Sequence, residues 1–313
     1  MQTVQRSNTK VTHELGEALA TRYQVVRELG RGGAGIVYLG RDTLLHRTVA
    51  IKVLRPELAS VPQHRERMLR EARLTGQLMH PGMMPVYDVV MTDRTVAFVM
   101  PYVATSLRRM VRTEGPSSVL TARTVLVDLA GVLAHVHRAG IVHRDVKPDN
   151  VLLSRDGGVW RTLLADFGAA SMPMADYGPN GLPGPEGTPS FMAPEQALHS
   201  AVDHRSDLYA LGVVGYFMLA GTVPFKGPDV RAVIAQQCAE QYPRLGSRRG
   251  DVPANVVHAI ERCLKADPDA RWSGADEFAQ ALQSTLPRPA RPWHRIAALV
   301  ALLARHVVMA NPS

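Results

Sequence analysis

The chain has 313 residues, 46% of them hydrophobic and 20% charged, a composition that allows a sizeable globular core. Its net charge of +8 comes from scattered Arg and Lys, and no helix-turn-helix, zinc-finger or RNA-binding signature accompanies it, so nucleic acid is set aside as the main partner. Cys238 and Cys263 are its two cysteines; they make neither a disulfide framework nor a zinc spacing, and a reducing, cytoplasmic compartment is the simplest reading.

Residues 1–22 are mixed and polar, with Glu14 and Glu17 among them, and read as a leader without a secretory signal. Within it, Val11 to Ala20 reads as a short helix. From Tyr23 the pattern is that of strands: YQVVREL runs to Gly30, and GIVYLGR follows the glycines. Between them stands Gly30-Arg31-Gly32-Gly33-Ala34-Gly35. A dinucleotide fold would need a helix after such a G-x-G-x-x-G. Ile36, Val37 and Tyr38 are β-branched or aromatic, which predicts a second strand and a hairpin. Such a hairpin either lies over phosphates, with backbone N–H groups that no side chain blocks, or is a tight turn and nothing more. Thr48 to Leu54 alternates apolar residues around Lys52, a solvated edge lysine or a functional one. Gln63 to Leu78 reads as a helix with Met68, Leu69, Ala72 and Leu78 for its inner face; it also carries Glu66 and Glu71. Met84 to Val90 and Thr95 to Tyr102 read as two more strands. Leu120 to Ala139 is helical through Leu126, Leu129, Leu133 and Val136, and Gly140 is its natural stop.

Ile141 to Leu153, IVHRDVKPDNVLL, is a strand pattern that breaks into a polar cluster and resumes. A structural turn would use Asn-Gly or Asp-Gly and has no need of His143, Arg144, Asp145, Lys147, Asp149 and Asn150 together. Val159 to Ala165 is a short strand leading into Asp166-Phe167-Gly168. From Ala169 to Gly187 the chain is rich in Gly and Pro and reads as a loop. It ends in Gly187-Thr188-Pro189-Ser190-Phe191-Met192-Ala193-Pro194-Glu195. Asp203 to Leu219 is apolar nearly all round, which predicts a central buried helix, and Asp207 within it needs a partner. Val230 to Glu240 and Asn255 to Leu264 read as further helices, followed by Asp267-Pro268-Asp269-Ala270-Arg271-Trp272. After Leu286, PRPARPW is a stiff linker. The apolar run that opens at Ile296 falls short of the ~20 residues that span a bilayer. Its stripe of Ile296, Leu299, Val300, Leu303 and Val307 suits an amphipathic helix on a membrane surface, a partner or the domain itself.

The order of these pieces carries a resemblance. H-R-D-x-x-x-x-N at His143 to Asn150, the glycine hairpin, Val49-Ala50-Ile51-Lys52, Asp166-Phe167-Gly168 and Ala193-Pro194-Glu195 occur in the sequence and order of the protein kinase family, which the chain resembles from about Tyr23 to Leu286. Lys147 and Thr188 resemble the serine/threonine class. RYQVVRELGRGGAGIVYLGRD and GTPSFMAPEQA are most similar to bacterial kinases of the eukaryotic type.

The resemblance implies an α+β, bilobed fold: leader 1–22, kinase domain 23–286 (N-lobe 23–100, hinge 101–104, C-lobe 105–286), linker 287–295 and tail 296–313. It implies ATP and protein substrates as partners, Mg²⁺ (or Mn²⁺) as cofactor, transfer of the γ-phosphate to Ser or Thr hydroxyls with autophosphorylation, and a role in signalling. A catalytic set follows: Asp145 for the acceptor proton, Lys147 for the γ-phosphate, and Lys52 held by Glu71. Glu71 stands nine residues before His80-Pro81, as in the family; Glu66 is then the solvated one. Asn150 and Asp166 would hold the metal. Leu29, Gly30, Arg31, Gly32, Gly33, Ala34 and Gly35 would close over ATP, with Val37, Ala50 and Leu152 about the adenine. Met100 would be the gatekeeper, and the Pro101 carbonyl and Val103 N–H would bond the adenine. Pro101 departs from the usual Glu, but only its carbonyl is needed. Ala104-Thr105-Ser106-Leu107 offers no acid for the ribose or a basic substrate residue. His143, Phe167, Gly168 and Thr188 take structural roles; Asp207 would accept hydrogen bonds from the backbone near His143 and Arg144, and Arg271 would pair with Glu195. Arg144 calls for an anion, either a phosphoserine or one of the acids Asp176 and Glu186. A pseudokinase scaffold should lack Lys52, Asp145 or Asp166. A small-molecule phosphotransferase should lack the Ala-Pro-Glu segment and its arginine. All are present here.

Overall fold

The computed structural model describes residues 19, 22–32, 35–92, 95–156, 159–168, 170, 189–198 and 200–284. The leader helix (apart from Leu19), Gly33, Ala34, the loop acids and serine at Asp176, Glu186 and Ser171, Thr188, the linker and the tail lie outside them.

The chain begins with an antiparallel sheet of five strands in the order β1-β2-β3-β5-β4. These are β1 Tyr23–Arg31, β2 Gly35–Asp42, β3 Arg47–Leu54, β4 Asp88–Met91 and β5 Val96–Pro101. Strand periodicity sorts β3 into two faces. Val49, Ile51 and Val53 pack with Tyr23, Ile36, Tyr38, Ala97 and Val99 on one side. Leu19 enters this cluster and is 1% exposed, so the core of the sheet reaches back into the leader. Ala50, Lys52 and Leu54 point the other way, toward the side on which Leu54 and Phe98 meet Met68. Met68 and Glu71 are the buried residues of α2 Pro62–Gln77, which follows the single turn α1 Pro56–Ala59.

The strand expected over Met84 to Val90 is shorter, because Pro85 has no N–H for a ladder. Met84 N–H bonds the Leu164 carbonyl at 2.9 Å instead, and pairing with β5 starts at Asp88.

The second lobe is mainly helical. A three-stranded sheet, β6 Thr105–Ser106, β7 Val151–Asp156 and β8 Val159–Leu164, lies at its boundary with the first. Its helices are α3 Leu107–Glu114, α4 Val119–Arg138, α5 Pro194–Ala197, α6 His204–Ala220, α7 Val230–Cys238, α8 Leu245–Arg248, α9 Ala254–Cys263 and α10 Ala275–Gln283. Helix α4 is long and apolar enough to cross a bilayer, but Val125 through Val136 supply much of this lobe's core. Helix α6 is buried from Ser206 through Leu219, as its all-round apolar surface predicts. Asp203 caps its start by accepting the Arg205 N–H at 2.8 Å.

The strand expected before His143 does not form. Ile141 N–H closes the end of α4 on the Val136 carbonyl, at 3.1 Å, and the next backbone donors go to a side chain described below. The strand begins only at Val151. Both cysteines are free thiols, Cys263 buried and Cys238 exposed.

Arg271 has a buried guanidinium. Its Nη1 and Nη2 donate to the two Glu195 oxygens at 2.7 and 2.8 Å. The remaining donors reach the carbonyls of Lys265, Arg205 and Ala266, so every donor nitrogen is bonded. The guanidinium also sits 4.9 Å from the Tyr209 ring centroid. Burial by itself would raise the pKa of Glu195, but Arg271 and the Ser206 hydroxyl more than offset it and hold the carboxyl below the usual range. Stability from this pair is therefore complete above the ordinary glutamate pKa, about 4.3, and is lost as pH falls through the lowered value. Melting curves of the wild type and Glu195→Gln should differ most at neutral pH, and the gap should close only as pH falls from about 4.3 through the lowered value. An undiminished gap in stronger acid would contradict this origin.

Candidate active site

The sheet, α2 and the segment after α4 converge on one cleft. Lys52 reaches it because its strand position faces α2. Its Nζ lies 3.3 Å from Glu71 Oε1 and 3.0 Å from Asp166 Oδ1. Burial works against the ammonium, yet the charges of Asp166 and Glu71 hold its pKa above the usual lysine value. Burial also opposes ionisation of Asp166, but Lys52 outweighs it and holds that carboxyl at about 2. Glu66 pairs with Arg70 on the exposed side of α2. Glu71 and not Glu66 is thus the helix carboxylate at the lysine.

Gly168 is a close-approach position: a Cβ there would stand 3.0 Å from Glu71 Oε2 and 3.2 Å from Asp166 Oδ1. Its carbonyl accepts from Arg67 Nε at 3.1 Å, a second tie from α2 that the sequence pattern did not single out. Asp166 has φ +67° and Arg144 φ +64°, conformations that surrounding bonds must hold in place.

Asp207 supplies part of that hold. Its carboxylate accepts the backbone N–H groups of His143 and Arg144, each at 2.7 Å, and meets His137 Nε2 at 2.8 Å. The first two bonds are those the resemblance implied; His137 is an addition from the end of α4. His143 is fully buried, its ring edge-on to Phe167 with centroids 4.6 Å apart. Gln196 Nε2 donates to the Arg144 carbonyl at 3.1 Å.

Asp145 receives Lys147 Nζ on its two oxygens at 2.8 and 2.7 Å. Asn150 Nδ2 donates to the Asp145 carbonyl and to its Oδ2, both at 2.9 Å. That use of the amide nitrogen leaves the Asn150 side-chain oxygen for a cation. With the ionised Asp166 it forms an all-oxygen donor pair, the kind a hard divalent cation takes.

The glycine hairpin forms as expected, with Gly30 opposite Val37 and Arg31 opposite Ile36. Gly35 is required by packing, since a Cβ would lie 2.6 Å from the Val53 carbonyl oxygen. At Gly30 and Gly32 a Cβ would meet nothing within 4 Å among the described residues, so packing there does not require glycine. Arg31 turns its side chain to Glu28 at 2.7 Å. Leu29 is partly exposed on β1. Ala50 stands opposite Met100 and Val49 opposite Pro101 in the β3–β5 ladder; Val103 follows in the connection to β6, and Leu152 pairs with Ser106.

Two lobes of unlike construction, with a buried lysine–glutamate pair in one and a loop-borne aspartate in the other, define a kinase-like protein. Residues 23–286 match the family described as "Protein kinase domain", and the chain belongs to that family. It is 38% identical over 266 residues to the serine/threonine-protein kinase pkn2 of Myxococcus xanthus, covering 83% of this chain and 32% of that protein. It is 37% identical over 267 residues to PknB of Mycolicibacterium smegmatis, covering 83% of this chain and 42% of that protein. The chain thus spans about a third to two fifths of these relatives' length. The crystal structure of the Mycobacterium tuberculosis PknI kinase domain is similar with a TM-score of 0.63 and 31% identity, over 84% of this chain and 96% of that one.

Proposed function

We propose that this chain is a serine/threonine protein kinase that transfers the γ-phosphate of ATP to protein hydroxyls in signalling. The observation that carries the reading is the pair of clusters, Lys52 between Glu71 and Asp166, and Asp145 between Lys147 and Asn150. Lys52 orients the α- and β-phosphates, and the open backbone of Gly30 and Gly32 covers them. Asn150 and Asp166 would hold Mg²⁺, which supplies neutralisation of the triphosphate charge when bound. Asp145 orients the acceptor hydroxyl and takes its proton as the oxygen bonds to the γ-phosphorus. The bond from that phosphorus to the β–γ bridging oxygen breaks, and ADP leaves. Lys147 meets the γ-phosphate as charge develops on it. ATP as donor and two free thiols both suit a cytoplasmic setting.

Incubation of the full chain with labelled ATP, Mg²⁺ and a proteome extract, followed by phosphoamino-acid analysis, tests this. Label on phosphoserine or phosphothreonine is expected; label confined to tyrosine or to small molecules would overturn it.

The acceptor side adds a charge argument. Arg108 Nε bonds both Asp149 oxygens, at 2.7 and 2.6 Å, and its guanidinium lies 5.4 Å from the Phe191 ring centroid. The acid beside Asn150 is thereby neutralised from within the chain, which disfavours acceptors selected by basic neighbours. Arg108→Ala should raise kcat/KM for an Arg-containing acceptor peptide over its Ala counterpart by roughly three- to tenfold. An unchanged ratio would rule out Asp149 as the masked acid.

A further inference from the structure

Helix α7 buries a glutamine whose amide is bonded in an unusual way. Gln237 has no exposed surface. Its Nε2 donates to the carbonyls of Pro189, at 3.3 Å, and Met192, at 3.1 Å. Its Oε1 is buried and has no hydrogen-bond partner among the described residues. The amide cannot be turned over, because Oε1 would then face two carbonyl oxygens. An aliphatic side chain would fill the space without a stranded acceptor. What the amide adds is its grip on the first residue of the 3-10 turn Pro189–Phe191 and on Met192, the residue that follows it.

The same turn is tied on its other side. Ala193 N–H donates to Gln196 Oε1 at 3.0 Å, and Gln196 Nε2 reaches the Arg144 carbonyl at 3.1 Å. Arg144 directly precedes Asp145. A continuous strut therefore runs from α7 through Gln237, the Pro189–Ala193 segment and Gln196 to the residue before the base. None of its bonds touches Lys52, Glu71 or Asp166. Resting on the kinase reading above, we infer that Gln237 and Gln196 are positioning residues for the protein acceptor. They set the segment Pro189–Ala193 at a fixed distance from Asp145, so that a hydroxyl lying against it reaches the base. Neither residue touches a reacting atom.

This strut predicts a split in steady-state kinetics. The full chain, Gln237→Met and Gln196→Met are each assayed with myelin basic protein as acceptor, varying protein and ATP in turn. Both variants should raise KM for the protein roughly tenfold, the loss expected from a buried pair of hydrogen bonds. KM for ATP should stay within about twofold, since the ATP-facing residues keep their contacts. A protein KM that stays unchanged, or KM values for protein and ATP that rise together, would overturn the inference. Should Gln237→Met fail to fold, Gln196→Met, on the partly exposed turn α5, decides the matter alone. A wild type that phosphorylates no protein would instead overturn the kinase reading, so the two failures are distinguishable.

Discussion

On the proposed function, Asp145→Asn and Lys52→Ala are each expected to reduce protein phosphorylation to background while the chain stays folded. Asp145 is the carboxylate that Lys147 and Asn150 address together. The asparagine variant keeps the shape but cannot take the hydroxyl proton, and loss of a positioned base typically lowers kcat about 10²- to 10⁴-fold. The Asp145 side chain is 35% exposed, so the change opens no cavity. Lys52→Ala removes the cation between Glu71 and Asp166, the group proposed to orient the α- and β-phosphates. Of the two carboxylates left behind, Asp166 keeps 39% of its side chain in solvent, and the buried Glu71, whose pKa burial already raises, can take up a proton. Circular dichroism and a melting curve would report the fold, and labelled ATP with a protein acceptor the transfer. Undiminished transfer by either variant would remove these residues from the chemistry.

Arg271→Ala is expected to have the largest effect on stability. The Arg271 side chain is 0% exposed and that of Glu195 7%. Removing the arginine leaves a buried carboxylate and the carbonyls of Lys265, Arg205 and Ala266 without their donor. Breaking one side of such a pair costs about 3–5 kcal/mol, a large part of the roughly 5–15 kcal/mol that holds a domain together. The melting temperature should fall by on the order of 10 °C. Replacing both partners, as Glu195→Leu with Arg271→Met, should recover part of the loss, since no lone charge then stays buried. A single variant as stable as the wild type would show that Glu195 finds another cation.

Periodicity made several elements readable in advance. Alternation in β3 placed Lys52 opposite Val49, Ile51 and Val53, and the apolar surface of α6 announced its burial. Helix α3 is not legible in the sequence, since its buried residues, Leu107, Met110 and Val111, are three in an eight-residue segment. Helix α10 is hidden for a similar reason: Ala275, Phe278 and Leu282 give a short face on nine residues. The stretch before His143 reads as a strand by composition, but its backbone donors go to Val136 and Asp207, which pattern alone does not disclose.

The sequence by itself determined which side chains are candidates for the chemistry and their order, from Lys52 to Asp166, and the segments that carry them. Those follow from residue type and near-neighbour spacing, which are local properties. Only the tertiary structure decided which groups face each other across the chain. It brought His137 to Asp207, Arg67 to the Gly168 carbonyl, Arg108 to Asp149 and Gln237 to Pro189 and Met192. Arginine, histidine and glutamine are common on any surface, and nothing in their immediate neighbours marks one as buried or says which distant carbonyl or carboxylate it meets. That is settled when packing removes water and each buried polar group has to find its partner within the protein.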